Sequence, residues 1–158
     1  MAGVTVHRTG IAADWIDYNG HLRDAYYGLI VSHGIDALME RVGLDGAYRT
    51  RTGCTLYTLE MHMHYLREIK SGATVSAQVR IIGSDRKRIH AAFDLLTDAD
   101  PEPAAAAEVM LLHVRQAPTV ASEPFTAEIA TAIAALEQAT ASLPPGRFGS
   151  RHMQLPQR

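Results

Sequence analysis

Asp17-Tyr18-Asn19-Gly20-His21-Leu22-Arg23-Asp24-Ala25-Tyr26-Tyr27 changes character halfway. Asn19-Gly20 is turn chemistry, because both residues tolerate positive φ. From Leu22 onward the pattern is helical. An acid just before a Gly-marked helix start has two readings. In the first, Asp17 and Asn19 cap the helix. In the second, the carboxylate works beside free backbone N–H groups that, with the helix dipole, favour developing negative charge. It then attacks an acyl carbonyl, or activates water against one, while the N–H groups hold the oxyanion.

Working outward, Leu22, Tyr26, Leu29, Ile30, His33, Ala37 and Leu38 recur at helical steps and predict a helix from Leu22 to Val42, ended by Gly43. Gly28 and Gly34 lie inside it, and each costs about 1 kcal/mol against Ala there, so close approach to a neighbouring element is expected at both. Before the motif, Val4 to Thr9 alternates like a strand. After the helix, Leu44 to Gly53 reads as a polar link. Cys54 to Leu66 reads as one long strand, with Thr55, Tyr57, Leu59, Met61, Met63 and Tyr65 on a buried face and Thr58, Glu60, His62 and His64 on a polar one. Further strands are expected at Ala73–Ile81, Ile89–Leu95 and Ala107–Arg115, with a proline-bearing loop from Asp98 to Pro103. Ser122-Glu123-Pro124 predicts a second helix start. Short turns between strands imply antiparallel neighbours, so the class is α+β with one long helix on the sheet.

The chain has 158 residues, 47% hydrophobic and 20% charged, with a net charge of −2. That suits one domain, residues 1–143 with the C-terminal helix included, followed by a loose basic tail, 144–158. The near-neutral charge argues against general nucleic-acid or membrane-surface binding. No apolar stretch spans a bilayer. Cys54 stands alone, which excludes an intrachain disulfide and suits the cytoplasm. The N-terminus has no signal-peptide pattern.

This order of elements, with Gly20-His21 opening the helix, resembles the hot-dog fold of acyl-CoA thioesterases. Asp17, Gly20, His21, the polar pair Arg23-Asp24 and Tyr27 are similar to the 4-hydroxybenzoyl-CoA thioesterase-like branch. Leu56–His62, Leu66–Glu68, Asp85–His90 and Glu108–Val114 resemble the betainyl-CoA thioesterases of bacterial carnitine breakdown. The resemblance runs from about Val4 to Val114. It implies a curled five-stranded antiparallel sheet wrapped on one long helix, and a homodimer or tetramer whose sheets join edge to edge. It implies acyl-CoA hydrolysis without metal or cofactor, with Asp17 as general base or nucleophile and N–H groups at the helix start as the oxyanion hole. Many relatives carry Asn where this chain has Arg23 and Asp24.

Glu60 and His62, two apart on the long strand, are candidates to orient water or to meet the Asp17 loop of a second subunit; a solvated or interface stripe is the plainer reading. Gly20 and His21 either contact substrate or brace the turn. Trp15, Tyr27 and Tyr57, with Tyr18 and Tyr26, offer aromatic faces to a betainyl quaternary ammonium beside Glu60, or simply pack. His62 and His64 have two-ligand spacing, but no third ligand follows at a telling distance, so no metal is expected. Cys54 reads as a small buried residue. Arg86, Lys87 and Arg88 form a turn that either holds CoA phosphates or stays solvated. A non-catalytic acyl-CoA-binding protein is the competing function; a dehydratase using a histidine fits the Asp17-to-His21 order less well.

Overall fold

The computed structural model describes residues 3–143; the expected basic tail lies outside them. β1 (Val4–Gly10) is followed by a 3-10 turn (Ala13–Trp15), the Asp17 loop, α1 (Asp24–Arg41), α2 (Gly46–Thr52), β2 (Cys54–Tyr65), β3 (Thr74–Ser84), β4 (Arg88–Thr97), β5 (Asp100–Arg115), β6 (Ala121–Ser122) and α3 (Ala127–Thr140). All pairings are antiparallel, in the order β1-β3-β4-β5-β2, with β6 added to β5. The expected five long strands are present, with a two-residue sixth. β2 is an edge strand, paired on one side to β5.

The sheet buries one alternating face against α1. Val75, Ala77, Val79 and Ile81 of β3 and Ile89, Ala91, Phe93 and Leu95 of β4 point inward, and Ile129, Ile133 and Leu136 of α3 join the same core. The buried stripe of α1 is Tyr27, Ile30, Val31, Gly34, Ile35, Leu38 and Met39; of the expected line Ile30 and Leu38 lie in it, with Leu22 buried just before the helix, while Tyr26, Leu29, His33 and Ala37 are only half-buried at its margin. Gly34 lies at its centre and carries no hydropathy signal. A Cβ on Gly34 would stand 3.0 Å from the Phe93 ring and 3.4 Å from the Ala77 Cβ, so this glycine is set by close packing, as expected. Gly28 is not: a Cβ there meets nothing within 4 Å.

Other expectations are corrected. The polar link contains α2, capped by the Asp45 carboxylate, which accepts the Tyr48 N–H at 2.8 Å, and closed by Gly53 at φ +69°. Tyr48 is buried, and its hydroxyl lies 3.1 Å from Nε2 of the fully buried His113, whose Nδ1 is 2.8 Å from the Glu123 carbonyl. That chain ties α2 and the approach to α3 onto β5. The Asp98–Pro103 segment is mostly strand. Between the Thr97–Asp100 and Leu95–Ala105 pairs the register slips, so Pro101 and Pro103 fall in a bulge where a missing N–H is tolerated. Thr126, not Ser122, caps α3. Ser122 lies in β6, and Pro124 disfavours helical geometry just before it.

Two substitutions separate the glycines. Gly34→Val overpacks the helix–sheet contact and is expected to lower stability by about 1–3 kcal/mol. Gly28→Ala is expected to raise it by about 0.5–1 kcal/mol. Chemical denaturation of both variants checks this.

Candidate active site

The Asp17 loop is a closed turn. Ile16 bridges to Leu22. The Asp17 N–H donates to the His21 carbonyl at 2.8 Å, and the Gly20 N–H, at φ +83°, donates to the Asp17 carbonyl at 3.1 Å. Oδ1 of Asp17 accepts the N–H groups of Asn19 (2.8 Å) and His21 (3.1 Å). The carboxylate therefore serves its own loop and does not cap α1. The helix starts at Asp24 after Arg23, with no capping side chain at that position. The Ala25 N–H bonds the Asp24 carboxylate (2.9 Å). Oδ2 of Asp17 carries no hydrogen bond among the described residues. The His21 N–H is the main cause that lowers the Asp17 pKa below its ordinary value. Partial desolvation opposes it, and the Asn19 N–H and the charges of His21 and Arg23 add to the lowering.

The loop is docked on the β2–β3 connection. The Leu22 N–H donates to the Ile69 carbonyl (2.8 Å), the Ser71 N–H to the Gly20 carbonyl (3.3 Å), and His21 bridges to Lys70. The His21 ring Nε2 lies 3.1 Å from Oε2 of Glu68, so His21 braces the turn. Tyr27 closes the arrangement. Its buried hydroxyl accepts the Ile69 N–H (3.2 Å) and donates to the Arg67 carbonyl (3.3 Å). Burial is the main cause that raises its pKa. Trp15 stacks on Tyr26 at 5.1 Å and 14°, and its carbonyl accepts the Arg23 N–H (3.0 Å). The Arg23 side chain turns back to the Ile16 carbonyl. Tyr18 is 96% exposed.

Glu60, His62 and Tyr57 lie elsewhere. The β2 register slips between Thr58 and Glu60, which reverses the alternation. Thr55 and Tyr57 pair with Val114 and Leu112, while Glu60, His62 and His64 pair with Met110, Glu108 and Ala106. All five sit on the sheet face opposite Ala107, Val109 and Phe93, away from α1. Met61 and Met63 turn inward against the core. The single buried and polar faces expected for this strand are thus exchanged halfway. On the outer face Glu60 Oε1 is 2.8 Å from His62 Nε2, and the His90 ring contacts the buried Glu108 carboxylate. The four side chains line one cleft. The structure brings Glu60 and His62 to His90 and Glu108 and not to Asp17. Among the described residues no set of three His, Cys, Asp or Glu side chains converges on a metal-sized site.

Of the basic turn, Arg88 is held by Asp85 at 2.9 and 2.6 Å, and that fork, with backbone N–H groups, brings the Asp85 carboxyl to about 2. Lys87 Nζ donates to Ser122 Oγ (2.9 Å). Arg86 is exposed. Cys54 is buried.

The sequence profile of the thioesterase-like superfamily matches residues 11–145. The chain belongs to that superfamily. It is 40% identical over 154 residues to the betainyl-CoA thioesterase of Pseudomonas aeruginosa PAO1, covering 97% of this chain and 96% of that one. It is 33% identical to the L-carnitine dehydrogenase/betainyl-CoA thioesterase of Rhizobium meliloti, matching 92% of this chain and 29% of that longer protein. Among solved structures, a Pseudomonas putida KT2440 protein provisionally assigned as a thioesterase superposes with a TM-score of 0.87 at 39% identity, covering 99% of both chains. A Staphylococcus aureus protein solved in complex with CoA superposes at 0.89 with 26% identity, covering 99% of this chain and 98% of that one. The hot-dog architecture and the thioester-hydrolase class are therefore shown.

Glu68, Tyr65, His90 and Glu108 were missing from the sequence-based candidates. Glu68 sits beyond the strand and finds His21 through the fold, while His90 and Glu108 occupy polar positions in otherwise apolar strands. The Tyr27 clamp is testable: Tyr27→Phe leaves the buried Ile69 N–H without its acceptor and is expected to cost about 1–3 kcal/mol by urea denaturation.

Proposed function

We propose that the protein hydrolyses betainyl-CoA to glycine betaine and free CoA in the cytoplasm, where CoA thioesters are made and used. The observation that carries this reading is the Asp17 carboxylate. It is ionised, tethered through Oδ1 and open at Oδ2, on a loop that runs into the start of α1, where the Arg23 side chain makes no capping bond. The 40% identity to a betainyl-CoA thioesterase over nearly the whole chain supports the acyl group.

In the proposed reaction Oδ2 attacks the thioester carbonyl, N–H groups at the α1 start hold the oxyanion, and the CoA thiolate leaves. Water then cleaves the mixed anhydride to return Asp17 and glycine betaine. The scheme is written with attack; the lowered Asp17 pKa keeps the carboxylate ionised for attack and for general-base work alike. The scheme draws on no metal or cofactor. Exposed Arg86 and the neighbouring Lys87 lie at the end of β3 away from the Asp17 loop and are assigned no CoA contact within one chain, while Arg88 is engaged with Asp85. Glu60 and His62, on the far face, are assigned no step within one chain. The unpaired edge of β2, with Tyr57 and Leu59 exposed, supports a homo-oligomer joined along that edge; we take the homodimer as its unit.

Free-thiol release from a panel of acyl-CoAs tests the function. Asp17→Asn is expected to lose about 10²–10⁴-fold in kcat/KM on every substrate. Tight CoA-thioester binding with no thiol release would support the binding-protein reading instead. In a single turnover in ¹⁸O-water, label in the Asp17 carboxylate marks attack followed by addition of water to the Asp17 carbonyl of the anhydride; if label appears only in glycine betaine, trapping the anhydride with hydroxylamine separates attack, which is trapped, from base catalysis, which is not. Because the folded Asp17 pKa is lowered, kcat/KM is expected to hold as pH falls through the ordinary aspartate value of about 3.9 and to drop only below it. A stopped assay over short incubations checks this limb.

A further inference from the structure

Resting on the reading of Asp17 as the reactive carboxylate, we propose that Tyr65 and Asp24 select for an acyl group bearing a permanent positive charge, with Tyr65 as the aromatic wall and Asp24 as the counter-charge.

In a betainyl thioester one methylene separates the ammonium nitrogen from the reacting carbonyl carbon, a distance of about 2.5 Å from standard bond lengths. The groups that recognise the cation must therefore border the same loop and helix start that hold the carbonyl. Within one chain this excludes Tyr57 and Glu60, which the bulge at Thr58–Glu60 turns to the opposite face.

Of the aromatic residues on the α1 side, Trp15 and Tyr26 cover one another's faces, and Tyr27 is 4% exposed with its hydroxyl engaged twice. Tyr65 differs. It ends β2 with 55% of its surface open, yet it is fixed at both ends. Its ring meets Tyr27 at 5.2 Å and 83°, and its hydroxyl donates to the Asp24 carbonyl at 3.4 Å. A rigid, open aromatic ring is the surface that a quaternary ammonium prefers. Asp24 supplies the second half. Its backbone carbonyl anchors Tyr65, and its carboxylate, held by the Ala25 N–H, is exposed. The negative charge of Asp24 is felt at the Tyr65 hydroxyl, whose pKa is raised by burial and then by that carboxylate. An acid also suits the position better than a neutral amide when the incoming acyl group is a cation.

The test compares betainyl-CoA with 3,3-dimethylbutanoyl-CoA, which has the same shape with carbon in place of the charged nitrogen. Wild type is expected to favour the cationic substrate by about tenfold or more in kcat/KM. Tyr65→Leu and Asp24→Asn are each expected to shrink that ratio by about fivefold. Tyr65→Phe, which keeps the ring, is expected to retain it. Added salt should erode the wild-type preference and leave that of Asp24→Asn less changed. An unchanged ratio in Tyr65→Leu and Asp24→Asn, or a parallel loss on both substrates, overturns the assignment. Asp17→Asn is measured alongside. If it matches wild type, the catalytic reading fails. If it is inactive while the ratio stays fixed in the other variants, only the selectivity assignment fails.

Discussion

The hydroxyl of Tyr27 joins two parts of the chain that sequence keeps about forty residues apart. It accepts the N–H of Ile69 and donates to the carbonyl of Arg67, so α1 is fastened to the β2–β3 connection. The same connection receives the Asp17 loop through Leu22, Gly20 and His21. The loop's internal bonds give it shape, because Asp17 Oδ1 and Gly20 close it locally. They do not place it. Placement beside the start of α1 comes from docking on residues 67–71, and Tyr27 fixes where that segment lies. An error of about an ångström in a reactive carboxylate costs orders of magnitude in rate. A buried tyrosine with both hydrogen bonds made to backbone is suited to hold such tolerance.

β2 carries a second constraint. An edge strand exposes both faces and one row of backbone groups, so its alternation is free to be reset without breaking the core. The bulge between Thr58 and Glu60 resets it. It keeps Met61, Met63 and Tyr65 on the α1 side and turns Tyr57, Glu60, His62 and His64 outward. One strand thereby serves two surfaces: an inner end where Tyr65 meets Tyr27 and Asp24 of α1, and an outer face where Glu60–His62 and His90–Glu108 pair in a cleft.

What was legible in the sequence follows the range of the forces involved. The turn at Asn19-Gly20 could be read because positive φ is a property of those residues. Most strands could be read because alternation is local, and Gly34 because a glycine in a helix interior needs close packing to explain it. The face of α1 was legible only in part, through Ile30 and Leu38, because its central residue, Gly34, has no side chain to mark it. The β2 bulge is dictated by the pairing with β5, which no window on β2 contains. α2 is too short for periodicity, although Asp45 and Gly53 bracket it. At the candidate site, the motif singled out Asp17, Gly20, His21 and Tyr27, but the partners that hold them (Glu68, Ile69 and Arg67) lie about forty to fifty residues away. Their relation to Asp17 is a product of topology.

The hydrogen bonds at Asp17 exchange basicity for availability. Two N–H groups on Oδ1 lower the carboxyl pKa, fix the orientation of the group and leave Oδ2 open. A weaker base is also a weaker nucleophile, so this arrangement favours acyl groups that are already electrophilic. An ammonium one methylene from the carbonyl withdraws electrons from it and so meets that condition. For a neutral acyl group of the same size that benefit is absent. In the proposed mechanism the chemistry of the loop and the charge of the acyl group thus support one another: the tether at Oδ1 takes basicity from Asp17, and the substrate supplies the reactivity so given up.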